Sequence, residues 1–116
     1  MNTHDRFTRS DAGAKRVRKT LQLCRQIYLA LSGALAALGE EALLDVSVES
    51  VEPAPDASRL LATLTLSKHA SANVREIYDA LERARGVLRA EVAAAITRKR
   101  APELAFLIRL DEEVMP

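Results

Sequence analysis

Between Ala14 and Leu110 the apolar residues of this chain change their spacing three times, from helical to alternating, back to helical, and to alternating again. Val17, Leu21, Cys24, Tyr28, Leu31, Leu35 and Leu38 recur at steps of three or four, which predicts one amphipathic helix from Ala14 to a stop at Gly39. Leu44, Val46 and Val48 then alternate with Asp45, Ser47 and Glu49, the pattern of a half-buried strand, and Pro53 and Pro55 end it. Leu60, Ala62, Leu64 and Leu66 make a second alternating run, close enough for an antiparallel hairpin with a loose loop. Val74, Ile77, Leu81, Ala84, Leu88, Val92, Ala95 and Ile96 return to helical spacing, with Ser71 or Asn73 as the cap and Pro102 as the stop. Leu104, Phe106, Ile108 and Leu110 alternate once more.

The predicted order is helix, strand, strand, broken helix, strand. Three strands that each bury one face need a cover, and the helices supply it, so the fold class is a two-layer α+β domain with a three-stranded sheet packed against helices. A chain of 116 residues with 48% apolar content is the size of one domain with one core. We expect residues 1–13 to be a flexible polar N-terminal tail, 14–111 the folded domain, and 112–116 a short acidic end.

Composition removes several kinds of chemistry. One cysteine, Cys24, permits neither an internal disulfide nor a CxxC site, and two histidines make a His-rich metal site improbable. Cys24 falls on the apolar stripe of the first helix and reads as core, and neither His4 nor His69 has a carboxylate at motif spacing. There is no P-loop and no GxGxxG. We therefore expect no enzyme and no cofactor. Four aromatic residues and no tryptophan argue against base stacking on aromatic platforms. The apolar run Ile27 to Leu38 is interrupted in its approach by Gln22, Arg25 and Gln26 and is too short to span a membrane, so a cytoplasmic protein without a membrane partner is expected.

The formal charge of +1 conceals a strong separation. Arg6, Arg9, Lys15, Arg16, Arg18, Lys19 and Arg25 face only Asp5 and Asp11 within the first 25 residues. Arg83, Arg85, Arg89, Arg98, Lys99 and Arg100 have only Glu91 between residues 83 and 100. Residues 40–56 carry Glu40, Glu41, Asp45, Glu49, Glu52 and Asp56 without a cation. Two basic segments that converge on one face bind a polyanion despite a near-neutral total; left apart, they are solvated helix faces.

Gly86 sharpens that choice. Helical spacing points Ile77, Leu81, Ala84 and Leu88 one way and Gly86 almost opposite, between Arg83 and Arg89. A glycine inside a helix costs about 1 kcal/mol relative to alanine. On the polar face it serves no core contact, but it lets a helix bend and leaves the backbone open to a partner among arginines suited to phosphate. A tolerated surface glycine at a bend is the plain alternative.

The segment "LERARGVLRAEVAAAITRKRAPELAF", Leu81 to Phe106, resembles the signature of the ribosome-binding factor A family. The resemblance lies in the Ala84-Arg85-Gly86 kink, Arg89 early in the following helix, the basic turn Arg98 to Arg100, and Pro102-Glu103-Leu104 with Phe106 at the next strand. "KRVRKTLQLCRQIYLAL" resembles the family's basic opening helix, and "VSVESVEPAPDASRLLATLTLS" its hairpin. The lead-in before Arg16 is longer and more polar than the family's, and the hairpin loop richer in proline.

The resemblance implies a KH-like domain of the type II arrangement, α-β-β-α(kink)α-β, in which the Ala-x-Gly kink replaces the GxxG phosphate clamp of ordinary KH domains. It also implies a non-catalytic monomer that binds the small (30S) ribosomal subunit late in assembly, contacts 16S ribosomal RNA near the decoding region, assists rRNA processing and supports growth in the cold. Carried onto this sequence, the RNA-binding residues are Ala84, Arg85, Gly86, Arg89, Arg98, Lys99 and Arg100, with Arg18, Lys19 and Arg25 of the first helix neutralising further phosphates. The alternative is a protein-interaction module docking through the acidic hairpin loop or the first helix.

Overall fold

The computed structural model describes the backbone of residues 3–111 and the side chains of residues 13–111. The elements are α1 (Thr3–Ala37), a short 3-10 helix (Glu41–Leu43), β1 (Val46–Pro53), β2 (Arg59–Leu66), α2 (Val74–Arg83), α3 (Arg85–Ala95) and β3 (Glu103–Leu110). This is the α+β order expected, with the second helical region broken in two.

The strands lie in the order β1-β2-β3. β1 is antiparallel to β2 through the hairpin, and β3 is parallel to β2, because α2 and α3 form the long crossover that a parallel pair requires. Opposed pairs Val48 and Leu64, Leu64 and Ile108, and Ala62 and Phe106 put one apolar face in register across the sheet. Leu60, Ala62, Leu64 and Leu66 of the central strand are buried on that face. Ile27 and Leu31 of α1, Ile77 of α2, and Leu88 and Val92 of α3 are buried with them in one cluster. Each such aliphatic side chain contributes about 1.5–3 kcal/mol through burial.

Local signals set the boundaries. Gly39 takes φ +66°, the left-handed conformation that ends a helix without steric penalty. Asn73 caps α2, its side-chain oxygen accepting from the Glu76 N–H at 2.9 Å. Asp56 accepts from the Ser58 N–H at 2.9 Å and organises the hairpin loop. The Tyr78 hydroxyl donates to the Phe106 carbonyl at 3.5 Å and accepts from the Ile108 N–H at 3.4 Å, which occupies backbone groups of the edge strand β3.

Three expectations need correction. α1 begins at Thr3 rather than Ala14, so residues 3–13 are helical; no proline interrupts them, and Gly13 is a tolerable defect. Met1, Asn2 and the acidic end 112–116 lie outside the described residues. Second, the buried line of α1 is Leu23, Cys24, Ile27, Leu31, Ala34 and Leu35, whereas Val17 and Leu21 are 59% and 62% exposed. A 35-residue helix is roughly 52 Å long. Strands of eight residues are only about 27 Å, so the first half of α1 overhangs the sheet. Third, Leu44 is 68% exposed and precedes β1; Leu43, at the end of the 3-10 helix, takes the buried place.

Candidate nucleic-acid interface

The helical region breaks at Ala84, not at Gly86. Ala84 has φ −89° and ψ 0°, outside the α region, and is only 5% exposed. Its N–H donates to the Ala80 carbonyl at 3.0 Å and its carbonyl accepts from the Leu88 N–H at 2.9 Å, so the ladder runs through the bend. A larger side chain there would enter the core. Ala84 is thus a packing residue whose side chain faces the core, so any part it plays at the interface is through its backbone and the bend it sets.

Gly86 is the second residue of α3 and lies at the surface. Its φ is not positive, and a Cβ added there meets nothing within 4 Å. Neither backbone strain nor packing in the free protein calls for glycine. Ala90, Ala93 and Ala94, at steps of four, three and one, are exposed with it. This face of α3 carries almost no side chain, so another molecule can approach the helix backbone closely.

Arg85 and Arg89 flank that face. They also stand at the rim of a groove of about 690 Å³ between α2–α3 and β3, whose apolar wall includes Leu88, Val92, Leu104 and Phe106. Arg85 reaches Glu82 at 3.6 Å in an exposed i,i+3 pair, a weak restraint. Arg89 forms no ion pair among the described residues. Its guanidinium is available for a bidentate contact with phosphate.

The basic turn follows α3, where cations also suit the negative end of the helix dipole. Arg98 points back across the molecule, its Nη1 donating to the Ala57 carbonyl of the hairpin loop at 3.2 Å. That places it in a cleft of about 520 Å³ with Arg16 and Lys19 of α1. Lys99 and Arg100 are exposed in the same turn. The structure therefore joins Lys19 to Arg98. It does not join Arg18 and Arg25 to either cavity. Seven residues apart, these two share the face of α1 opposite Ile27.

Among the cleft residues missed as site residues are Arg16, Gln22 and Gln26. Lys15, Lys19, Gln22 and Gln26 follow steps of four, three and four, a polar stripe visible in the sequence but overshadowed by the apolar one.

Part of the acidic segment is engaged within the fold. Glu40 accepts from Arg83 at 3.0 Å, and Glu49, at the bulge in β1, pairs with Arg109 of β3. The Asp56 carboxyl is held below the usual carboxylate range by its hydrogen bonds from Ser58. Cys24 is buried, and burial followed by the nearby Glu52 charge pushes its thiol pKa up, the reverse of an activated nucleophile. Among the described residues no three His, Cys, Asp or Glu side chains gather as metal ligands, and no helix is long and apolar enough to cross a membrane.

No family model and no curated protein sequence matches the chain. Solved structures do. The crystal structure of ribosome-binding factor A from Thermus thermophilus is 29% identical, with a TM-score of 0.62 over 80% of this chain and 93% of that one. A homology model of the Thermus thermophilus ribosome binding factor A, fitted into a cryo-EM map of a 30S complex, is 30% identical, with a TM-score of 0.56 over 77% of this chain and 89% of that one. The shared fold is the KH-like α+β arrangement described above.

Proposed function

This chain belongs to the ribosome-binding factor A family, and we propose that it binds the small (30S) ribosomal subunit through 16S ribosomal RNA during late maturation, assisting rRNA processing without catalysing a reaction. The observation that carries the reading is similarity, over most of both chains, to a protein whose model was fitted into a 30S complex. The α3 surface supports it. Gly86 has no role in the fold, and Arg85 and Arg89 stand beside it. The site residues we propose are Gly86 as the point of close approach, with Arg85, Arg89, Arg98, Lys99 and Arg100 as phosphate contacts. Arg18, Lys19 and Arg25 are the contribution of α1. Ala84 shapes the bend that presents Arg85, Gly86 and Arg89. Such contacts position a protein on RNA by backbone and shape more than by base sequence.

Co-sedimentation with purified small subunits across a salt series, with large subunits as control, tests the reading. Salt-sensitive binding to small subunits alone is expected. Equal binding to both would reduce the protein to a generic basic RNA binder. No binding at low salt would favour a protein partner.

A further inference from the structure

We propose that the cleft between α1 and the α3–β3 turn seats the phosphate backbone of a single RNA strand, a second contact separate from the Gly86 face. The proposal rests on the RNA-binding reading and extends it to a site of different construction.

Its lining is of one sign. Arg16, Lys19 and Arg98 converge there, and among the described residues no carboxylate lines the cleft. Arg98 is held in place by its bond to the Ala57 carbonyl, so a cation is already oriented before any ligand arrives. Gln22 and Gln26 stand one helical turn apart on the same side of α1 as Lys19. Amides both donate and accept, which matches phosphate oxygens together with ribose hydroxyls. Leu23 and Ile96, both buried, close the inner wall and give the sugar an apolar surface. The cleft residues of α1 from Arg16 to Gln26 span about 15 Å of the helix, long enough to follow a strand rather than hold one ion. A volume of about 520 Å³ admits a nucleotide-sized group but no duplex. Among the described residues no aromatic side chain lines it, so recognition falls on the backbone and tolerates any base.

The test is NMR titration of the full, nitrogen-15-labelled chain with a short oligouridylate, following the side-chain amide signals of Gln22 and Gln26 and the backbone amide of Thr97. These signals should shift and saturate. Arg16→Gln with Lys19→Gln should weaken that response about tenfold and reduce co-sedimentation with small subunits, while Arg75→Gln, which removes a charge elsewhere, leaves both unchanged. Neither Arg16 nor Lys19 is buried, so an unaltered spectrum of the double variant verifies its fold. Shifts confined to residues 85–94 would overturn the cleft and leave the 30S reading standing. So would equal shifts from inorganic phosphate at matched phosphate concentration. A glutamate-rich peptide moving the Gln22 and Gln26 signals where oligouridylate does not would overturn it in favour of a protein ligand. Saturable oligouridylate shifts in a chain that fails to sediment with small subunits would uphold the cleft and overturn the 30S reading.

Discussion

Arg98, beyond the end of α3, donates a 3.2 Å hydrogen bond to the carbonyl of Ala57 in the β1–β2 loop. That single contact ties the basic turn to the hairpin and turns a mobile cation into a fixed wall of the α1 cleft. Arg98→Gln removes the tie. Because the bond is exposed, we expect a loss of no more than about 1 kcal/mol. For a domain of this size that lowers Tm by at most about 4 °C. Thermal unfolding followed by circular dichroism checks the first effect. Co-sedimentation with small subunits should show the larger deficit, since the charge itself is lost as well.

Gly86 offers a stability test with a functional counterpart. Its Cβ would meet open space and its φ is not positive, so Gly86→Ala should raise stability by about 0.5–1 kcal/mol in urea unfolding. Gly86→Leu should also fold, yet bind small subunits at least tenfold more weakly. Normal binding by the leucine variant would remove close backbone approach from the mechanism.

Salt dependence counts phosphates. Lys19→Gln and Arg89→Gln should each make the plot of log affinity against log salt shallower by roughly 0.7–0.9, the increment for one neutralised phosphate. An unchanged slope would show that the substituted cation contacts no phosphate.

The two halves of α1 should respond unequally to mutation. Ile27 is fully buried in the shared core, and Ile27→Ala should cost about 2–5 kcal/mol. Val17 belongs to the same apparent apolar stripe but stands in solvent, and Val17→Ser should stay within about 0.5 kcal/mol. Urea denaturation of both variants measures the difference. A large loss for Val17→Ser would mean that the overhanging part of α1 is covered in solution.

Cys24 should behave as a core residue. Its thiol pKa is raised by burial and then by Glu52, so the neutral form is favoured in the folded state. Its contribution to stability is complete below the unfolded thiol pKa of about 8.5 and is lost as pH rises through the higher folded value. Labelling by a disulfide reagent should be slow in the native protein at pH 8 and fast in denaturant. Rapid native labelling would place the thiol at the surface.

Element types and order were legible along the chain because side-chain periodicity is local. Leu60, Ala62, Leu64 and Leu66 advertise the buried face of β2, and Ile77, Leu81, Ala84 and Leu88 that of the broken helix, whatever packs against them. An outward-facing Gly86 was visible on the same ground. Other features depend on what the rest of the molecule brings near. The sheet's length decides where α1 runs out of cover, which is why Val17 and Leu21 read as core and are exposed. The crossover through α2 and α3 decides that β3 lies parallel beside β2. Ion pairs between Arg83 and Glu40, and between Arg109 and Glu49, join residues distant in the chain and withdraw charges that composition counts as free. Lys19 and Arg98 share a cleft for the same reason: local spacing fixes the face on which a side chain stands, and only the packed chain fixes what stands opposite it.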